Sequence, residues 1–557
     1  MRSFAWWLAA LVLVGGCRRD AALDKPRRII IATSQEPDVL LPAFAEMAAA
    51  NQVVEGGVRY LTQYNREWAL VPGLAKVIPT LENGGVALLD AKGQTVQDAA
   101  DARKMRVTWT LNTHATWADG TPVTASDFVF AHNVMRDPRQ EVRDRTLVDK
   151  IEKMEAPYAQ TLVVHWREVD AFYAGFRNHH VFPRHVMEAA WKTDGGTVGL
   201  KNSPLGRRPL FYGPFQFAEW KPGEFIRLTR NKHAFVPPQV DDVIWQFFPK
   251  DVGAIAALEA GTVDAIAPDG TVGVDLVEDL VARRPDAFVA DFHPGMTWAH
   301  MDVNTQHPWL QDKRMRQALL MALDREGAIR SVFRGRYDVA QSLFPPRHDG
   351  HHPALKAWPH DVARANTLLD ELGFKKAADG MRRAPDGAPL RLDVAYATGT
   401  KTSEDLLVIF QANLKTVGIE MVLHGAPPKT FFGDVLRQRN AHHLAFYAWT
   451  MDPQAYGETL LASSKIPSEA NGWEGQNYVG FSNAEVDSLI QRIPRELHQP
   501  ARATLLRRLN DIYVEELPML PIYTRPVVSV TRKGLKNWAP TGTQTSVSWN
   551  AESWAIQ

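Results

Sequence analysis

An α/β fold is what this sequence predicts, and three stretches predict it. Residues 390–396, LRLDVAY, alternate apolar and polar side chains as a half-buried strand does. Residues 404–417, EDLLVIFQANLKTV, read as a helix that stops at Gly418, and IEMVL at 419–423 returns as a strand. Strand, helix and strand in that order describe a mixed sheet covered by helices.

The other elements follow along the chain. RRIIIATSQEPDVLLP begins with an apolar strand at 28–33 and then turns polar. In MRVTWTL, Met105, Val107, Trp109 and Leu111 share one face, with Arg106, Thr108 and Thr110 opposite, which is a second half-buried strand. Asp119-Gly120 marks a turn, and Thr124 with Asp127 has the spacing of a capping box opening a helix with Phe128, Val129 and Val134 inward. RRPLFYGPFQFAEW is rich in aromatic residues and proline, and KPGEFIRLTRN reads as a turn followed by a strand. GAIAALEAG makes a short helix closed by Gly261, with Val263 to Ile266 as the next strand, and DVARANTLLDELG at 361–373 is another helix with a glycine stop. There is no repeat of fixed period, which argues against a solenoid or propeller.

Composition narrows the function classes. The 557 residues are enough for two to four ordinary domains. Lys and Arg number 63, as do Asp and Glu, so the formal charge is zero and there is no broad positive field to draw nucleic acid. The chain has one cysteine, Cys17, and so no internal disulfide. It follows Arg2 and the apolar run FAWWLAALVLV. Eleven residues make a helix of about 16 Å, too short for a bilayer core of about 30 Å. A basic start, a short apolar run and small residues describe a secretory signal segment. Val14-Gly15-Gly16-Cys17 resembles the lipobox of bacterial lipoproteins. That resemblance implies cleavage before Cys17, a diacylglyceryl thioether on its sulfur and acylation of the new terminus, palmitate among the acyl groups. Several acyl chains anchor firmly because each buried methylene adds about 0.8 kcal/mol. The expected setting is the periplasm, with the protein tethered to the envelope membrane.

Catalytic and metal signatures are missing from the sequence. It holds no nucleotide-binding glycine pattern, no HExxH, no GxSxG and no cysteine–histidine zinc spacing. Histidine pairs occur at 179–180, 351–352 and 442–443, but neighbours in a strand point to opposite faces and chelate poorly. They read as surface-loop histidines. The carboxylates of Asp370 and Glu371 read as a helix surface. No catalytic residue, metal ligand or cofactor is assigned.

Several blocks, in order, resemble one family: the large extracytoplasmic solute-binding proteins of ABC transporters, the group that includes oligopeptide- and dipeptide-binding proteins. They are VVEGGVRY at 53–60 with LVPGLAKV at 70–77, then WTLNTHATWADGTPVTASDFVFAHNVM, which is the most specific. GPFQFAEWKPGEFIRLTRN with ALEAGTVDAI, MDVNTQHPWLQDKRMRQALLMALDREGAI, and NYVGFSNAEVDSLI with LPMLPIYTR complete the set. The resemblance spans about 29 to 535. It implies a two-lobed periplasmic binding protein: a signal peptide at 1–16, a tether at 17–27, and a discontinuous lobe I at 28–66, 208–297 and 520–557. An inserted subdomain would occupy 67–207 and lobe II 298–519, with interlobe crossings near 297 and 520. Such a monomer closes over a short peptide and delivers it to a permease with its ATPase.

For ligand choice the informative stretch is YAWTMDPQAYGETLL at 447–461. In peptide-binding members a Trp-x-x-Asp there offers a carboxylate to the peptide amine, and Trp449 and Asp452 have that spacing. Asp452 is also followed by Pro453, so counted from Pro453 it matches a later acidic position of the family. Two readings stand: Asp452 faces the cleft and takes an ammonium group, or it caps a helix starting near Gln454. Tyr447, Trp449 and Tyr456 are candidates for lining side-chain pockets or for core packing. Asn304, with Thr305, lies just past the first crossing and supplies polar groups to the ligand or to the hinge loop. Trp117 is expected to pack beneath the Asp119-Gly120 turn. The alternatives to peptide uptake are the same binding of an opine, sugar or metal chelate, and an envelope chaperone or scaffold. A hydrolase is the weakest alternative.

Overall fold

Two long strands, Phe288–Val303 and Met519–Arg532, run antiparallel through the middle of what is, among the described residues, an 11-stranded sheet. This computed structural model describes residues 27–557, apart from 42, 45–46, 141–144, 176–177, 194–199, 201–202, 269–271, 356–357, 442 and 544. The apolar leader and Cys17 lie outside the described residues.

The two ends of the strand pair belong to different lobes. Phe288–His293 pairs with Val527–Arg532, and from there the sheet continues through Ala265–Ile266, Arg28–Thr33, Asp242–Phe247, Phe225–Arg230 and Phe215–Lys221. Thr297–Asp302 pairs with Met519–Arg525, and the sheet continues the other way through Leu444–Thr450, Arg391–Ala397 and Glu420–Ala426. The result is two mixed α/β lobes joined by shared strands. Between the two stretches the register breaks, with residues 294–296 opposite Pro526. Pro294 and Pro526 have no N–H to give a ladder. A Cβ on Gly295 would run into the Arg525 carbonyl oxygen, so glycine lets the strands stay close where pairing lapses.

The local signals act as physical chemistry requires. Ile29 and Ile31 are fully buried in the first lobe's core. Met105, Val107, Trp109 and Leu111 are buried while Arg106 and Thr110 are exposed. Their strand, Lys104–Thr110, lies in a separate sheet with Val86–Leu89, Thr161–Trp166 and Ile151–Tyr158. The Thr124 N–H donates to the Asp127 carboxylate at 2.8 Å, closing the capping box at the start of helix Ala125–Arg136. Helix Lys401–Thr416 links the parallel strands Arg391–Ala397 and Glu420–Ala426. Gly261 ends helix Asp251–Ala260 at φ 75°, in the left-handed region that suits glycine.

One expectation is corrected. His179 is not a surface-loop histidine: it is buried between Trp109 and Trp166, each ring centroid 6.1 Å away. Among the described residues, no three His, Cys, Asp or Glu side chains converge to hold a metal ion.

Candidate functional site

Strand Leu444–Thr450 pairs with Thr297–Val303 of the first long strand. Alternation puts Tyr447 and Trp449 on one face, with ring centroids 6.4 Å apart. Tyr447 is buried, and its hydroxyl donates to Asp302 Oδ2 at 2.9 Å. Burial, with Asp302 adding to it, pushes that hydroxyl well above the phenol range. Tyr447 is therefore floor, not lining. Trp449 is half-buried above it, and Phe432, on the turn Phe431–Leu436, is exposed with its ring 6.1 Å from Tyr447.

Past Thr450 the strand gives way to a turn. Met451 N–H still reaches the Met296 carbonyl at 3.0 Å, but Asp452 turns its carboxylate onto the chain ahead. Asp452 Oδ1 accepts from Gln454 N–H at 2.8 Å, and the Asp452 carbonyl from Ala455 N–H at 2.9 Å. That is an Asx turn, not a helix cap. The helix expected near Gln454 is absent, and the next one, Glu458–Leu461, begins only after Gly457 at φ 76°. Asp452 Oδ1 also accepts from the Tyr64 hydroxyl at 3.2 Å. Tyr64 ends strand Thr62–Tyr64, whose neighbours Tyr60, Leu61, Leu74 and Ala75 belong to the first lobe's core. This half-buried carboxylate therefore stands where the two lobes face each other, and burial with Asp452 beside it raises the Tyr64 hydroxyl.

Other contacts cross the same boundary. Trp68 packs among Met296 of the register break and Trp298, Phe344 and Met451 of the second lobe, and its indole N–H donates to the Thr541 carbonyl at 2.6 Å. The Arg347 guanidinium donates from Nη1 to the Arg66 carbonyl at 3.1 Å. Tyr456 is half-buried; its hydroxyl donates to Glu458 at 2.5 Å, and burial raises it strongly.

Tyr447, Trp449, Asp452 and Tyr456 thus cluster at one end of the strand. Asn304 lies apart from Asp452, on the side of Tyr447 and Tyr478. Its N–H donates to the His443 carbonyl at 2.9 Å, at the far end of the same pairing. Eight residues of strand separate that bond from the one at Met451, roughly 26 Å at 3.3 Å each. There Asn304 borders a small cavity with Asp302, Arg439, His443 and Tyr478. Trp117 is buried beneath the Asp119-Gly120 turn, against Tyr212 at 5.0 Å.

Sequence reasoning missed two features. Tyr64 carries no local signal, since its partner lies 388 residues away. The second is an open cavity of about 530 Å³ lined by Arg437, Lys465, Trp473, Glu474 and Tyr478 among others. Tyr478 packs on the same cluster as Tyr447 and Trp449, which places this cavity beside the site. Arg437 makes no ion pair among the described residues; its Nε reaches the Trp473 carbonyl at 3.4 Å. Lys465 stands 3.9 Å from Glu458. The lining is polar and carries charges of both signs, Arg437 and Lys465 against Glu474.

Comparison with known proteins gives a consistent picture. Residues 70–468 match the family described as bacterial extracellular solute-binding proteins, family 5 Middle. The oligopeptide-binding protein AppA of Bacillus subtilis (strain 168) is 24% identical over 383 residues, covering 67% of each chain. The oligopeptide-binding protein of Thermus thermophilus, solved with a pentapeptide, superposes with a TM-score of 0.72 at 26% identity, covering 95% of this chain and 96% of that one. NikA of Brucella suis, solved with Fe(III)-EDTA, superposes with a TM-score of 0.75 at 20% identity, covering 95% and 100%. The last likeness is one of fold.

Proposed function

The chain belongs to the bacterial extracellular solute-binding proteins of family 5, and from that premise we propose that it is the peptide-binding component of an ABC importer. It works by binding, without a catalytic step. The lobes close over a short peptide, with the hinge at the register break of residues 294–296 and Pro526. Closure takes the peptide out of water, and the extra contacts made in the closed form are what favour it. The peptide's ammonium group meets Asp452, and its negative groups meet Arg437 and Lys465. The closed protein then hands its guest to a permease and its ATPase. Cys17 carries the lipid that keeps the protein at the membrane.

The observation that supports this most is Asp452 itself. It is a half-buried carboxylate at the lobe boundary, oriented by one backbone N–H and one hydroxyl. A carboxylate closed away from water favours a cationic partner. The similarity to the oligopeptide-binding proteins of Bacillus and Thermus supports the same reading. Calorimetry with a random tripeptide mixture, with free and with blocked amino termini, tests the reading. Free peptides should bind and blocked ones should not. Equal binding of the two would remove the ammonium contact.

A second reading is a metal chelate, favoured by the cations of the open cavity and by the fold shared with NikA. Fe(III)-EDTA in the same calorimeter should give no heat if peptides are the cargo. The anchor has its own test: Cys17→Ser should leave the protein unprocessed and in the soluble fraction.

A further inference from the structure

Away from the long strands, the two lobes meet again at a turn carried by the inserted sheet unit. The turn at 171–175 lies against the second lobe. Ala171 N–H donates to the Pro494 carbonyl at 2.6 Å. The Phe172 ring stacks on Tyr456 with centroids 5.2 Å apart and planes 11° from parallel. The Arg502 guanidinium carbon stands 5.6 Å from the Phe172 centroid.

The turn is braced from behind. Phe172 N–H donates to Asp170 Oδ1 at 2.8 Å, and Asp170 Oδ2 takes Lys150 Nζ at 2.8 Å. The Ala174 carbonyl accepts from the Thr62 hydroxyl of the first lobe at 2.8 Å. On the other side, Arg502 Nη1 donates to the carbonyls of Glu496 and Leu497, and Arg502 forms no ion pair among the described residues. Its charge meets the aromatic face instead. An offset stack and a cation over a ring stabilise only the arrangement that brings them together.

We propose that Phe172 is a positioning residue, closing onto Tyr456 and Arg502 as the lobes come together, so that a clasp which never touches the solute helps to set its affinity. The proposal rests on the reading that the lobes close over a guest. It moves Tyr456 from the solute pocket to the clasp. Apparent affinity scales with the fraction of molecules able to hold the closed form, so the clasp acts on release more than on capture.

Two experiments on the full chain decide it. Phe172→Ala should speed release of bound tripeptides about tenfold while association changes little, and Phe172→Tyr should restore slow release. The same release rate in Phe172→Ala as in the wild type overturns the proposal. The second experiment pairs Ala171→Cys with Pro494→Cys, in a chain whose lone thiol is removed by Cys17→Ser. The direct backbone hydrogen bond between them brings the two chains close enough for a disulfide to be attempted. Oxidation should trap tripeptides already bound and exclude those added later, and reduction should reverse both effects. A pair that oxidises yet exchanges peptide freely, or that never oxidises, overturns the clasp. If the wild type binds no tripeptide, the peptide reading fails by itself. The clasp is then judged by scattering: the oxidised protein should be more compact than the reduced one, and equal radii of gyration overturn it.

Discussion

Two tyrosine–aspartate pairs flank the same strand, and their settings are opposite. Asp302 is 5% exposed and takes the Tyr447 hydroxyl at 2.9 Å, within a single lobe. Asp452 is half-buried and takes the Tyr64 hydroxyl at 3.2 Å, from the other lobe. His300 Nε2 lies 3.2 Å from Asp302 Oδ1, and the His300 ring stacks on Trp298 at 4.3 Å, so the first carboxylate is walled in by its own fold. The second is held by a turn at the lobe boundary. The same two side chains make structure in one place and, on our reading, a receptor in the other. What differs is whether both partners move together.

The sharpest way to break this contrast is Asp452→Asn. It keeps the shape and removes the charge, and peptide affinity should fall about a hundredfold, as when one member of a desolvated charge pair is lost. Unfolding midpoints in denaturant should hardly change. A loss of about tenfold or less, measured by calorimetry, would put Asp452 in the same structural class as Asp302.

Acid probes the interior. His179 and His348 are buried and neutral, with burial lowering them to about 3 and about 4 from 6.5. The unfolded chain therefore binds protons that the folded chain refuses. Stability is complete above pH 6.5 and is lost as pH falls toward the folded values. Between about pH 7 and pH 5 each imidazole should remove up to about 2 kcal/mol. The thermal midpoint should drop over that range, and His179→Phe should flatten the drop. A wild-type midpoint that is unchanged at about pH 5 would mean that these rings are reached by water.

Tyr447→Phe should cost about 1–2 kcal/mol in denaturant unfolding, since it strips a donor from a buried carboxylate. Affinity in the folded protein should stay within about twofold of the wild type, because the hydroxyl lies beneath the surface. Tyr64→Phe should do the reverse on a smaller scale. Affinity should weaken about fivefold, the worth of about 1 kcal/mol, with little change in stability. If the two phenylalanine variants behaved alike, the contrast between the pairs would collapse.

The sequence made one side of this contrast readable and hid the other. Alternation in MRVTWTL and LRLDVAY was legible because each strand has one wet face. Thr124 with Asp127 was legible because a capping box is local. Trp449 and Asp452 stood out only through the family resemblance, whose peptide-binding members carry a Trp-x-x-Asp in that place. Of the two readings of Asp452 the helix cap falls away, because the N–H groups of Gln454 and Ala455 close a turn too short to continue as a helix. Tyr64 could not be found, because a hydroxyl's partner across hundreds of residues leaves no periodic trace. Asn304 looked close to the site because it follows the first crossing. Strand geometry carries it to the far end, and only the pairing of His443 with Asn304 reveals that distance. His179 was misplaced for a related reason: adjacent histidines read as polar, yet two indoles bury one of them.

The placement of the last residues has a consequence for biogenesis. Ser546 N–H donates to Glu55 at 2.7 Å and the Ser548 hydroxyl donates to the Gln52 carbonyl, so helix Ala48–Gly57 is finished by residues that lie 491 or more positions later in the chain. A polypeptide threaded amino end first across a membrane must therefore leave this helix incomplete until residues 546–548 have emerged. Chaperones on the far side would have the whole translocation time in which to hold it.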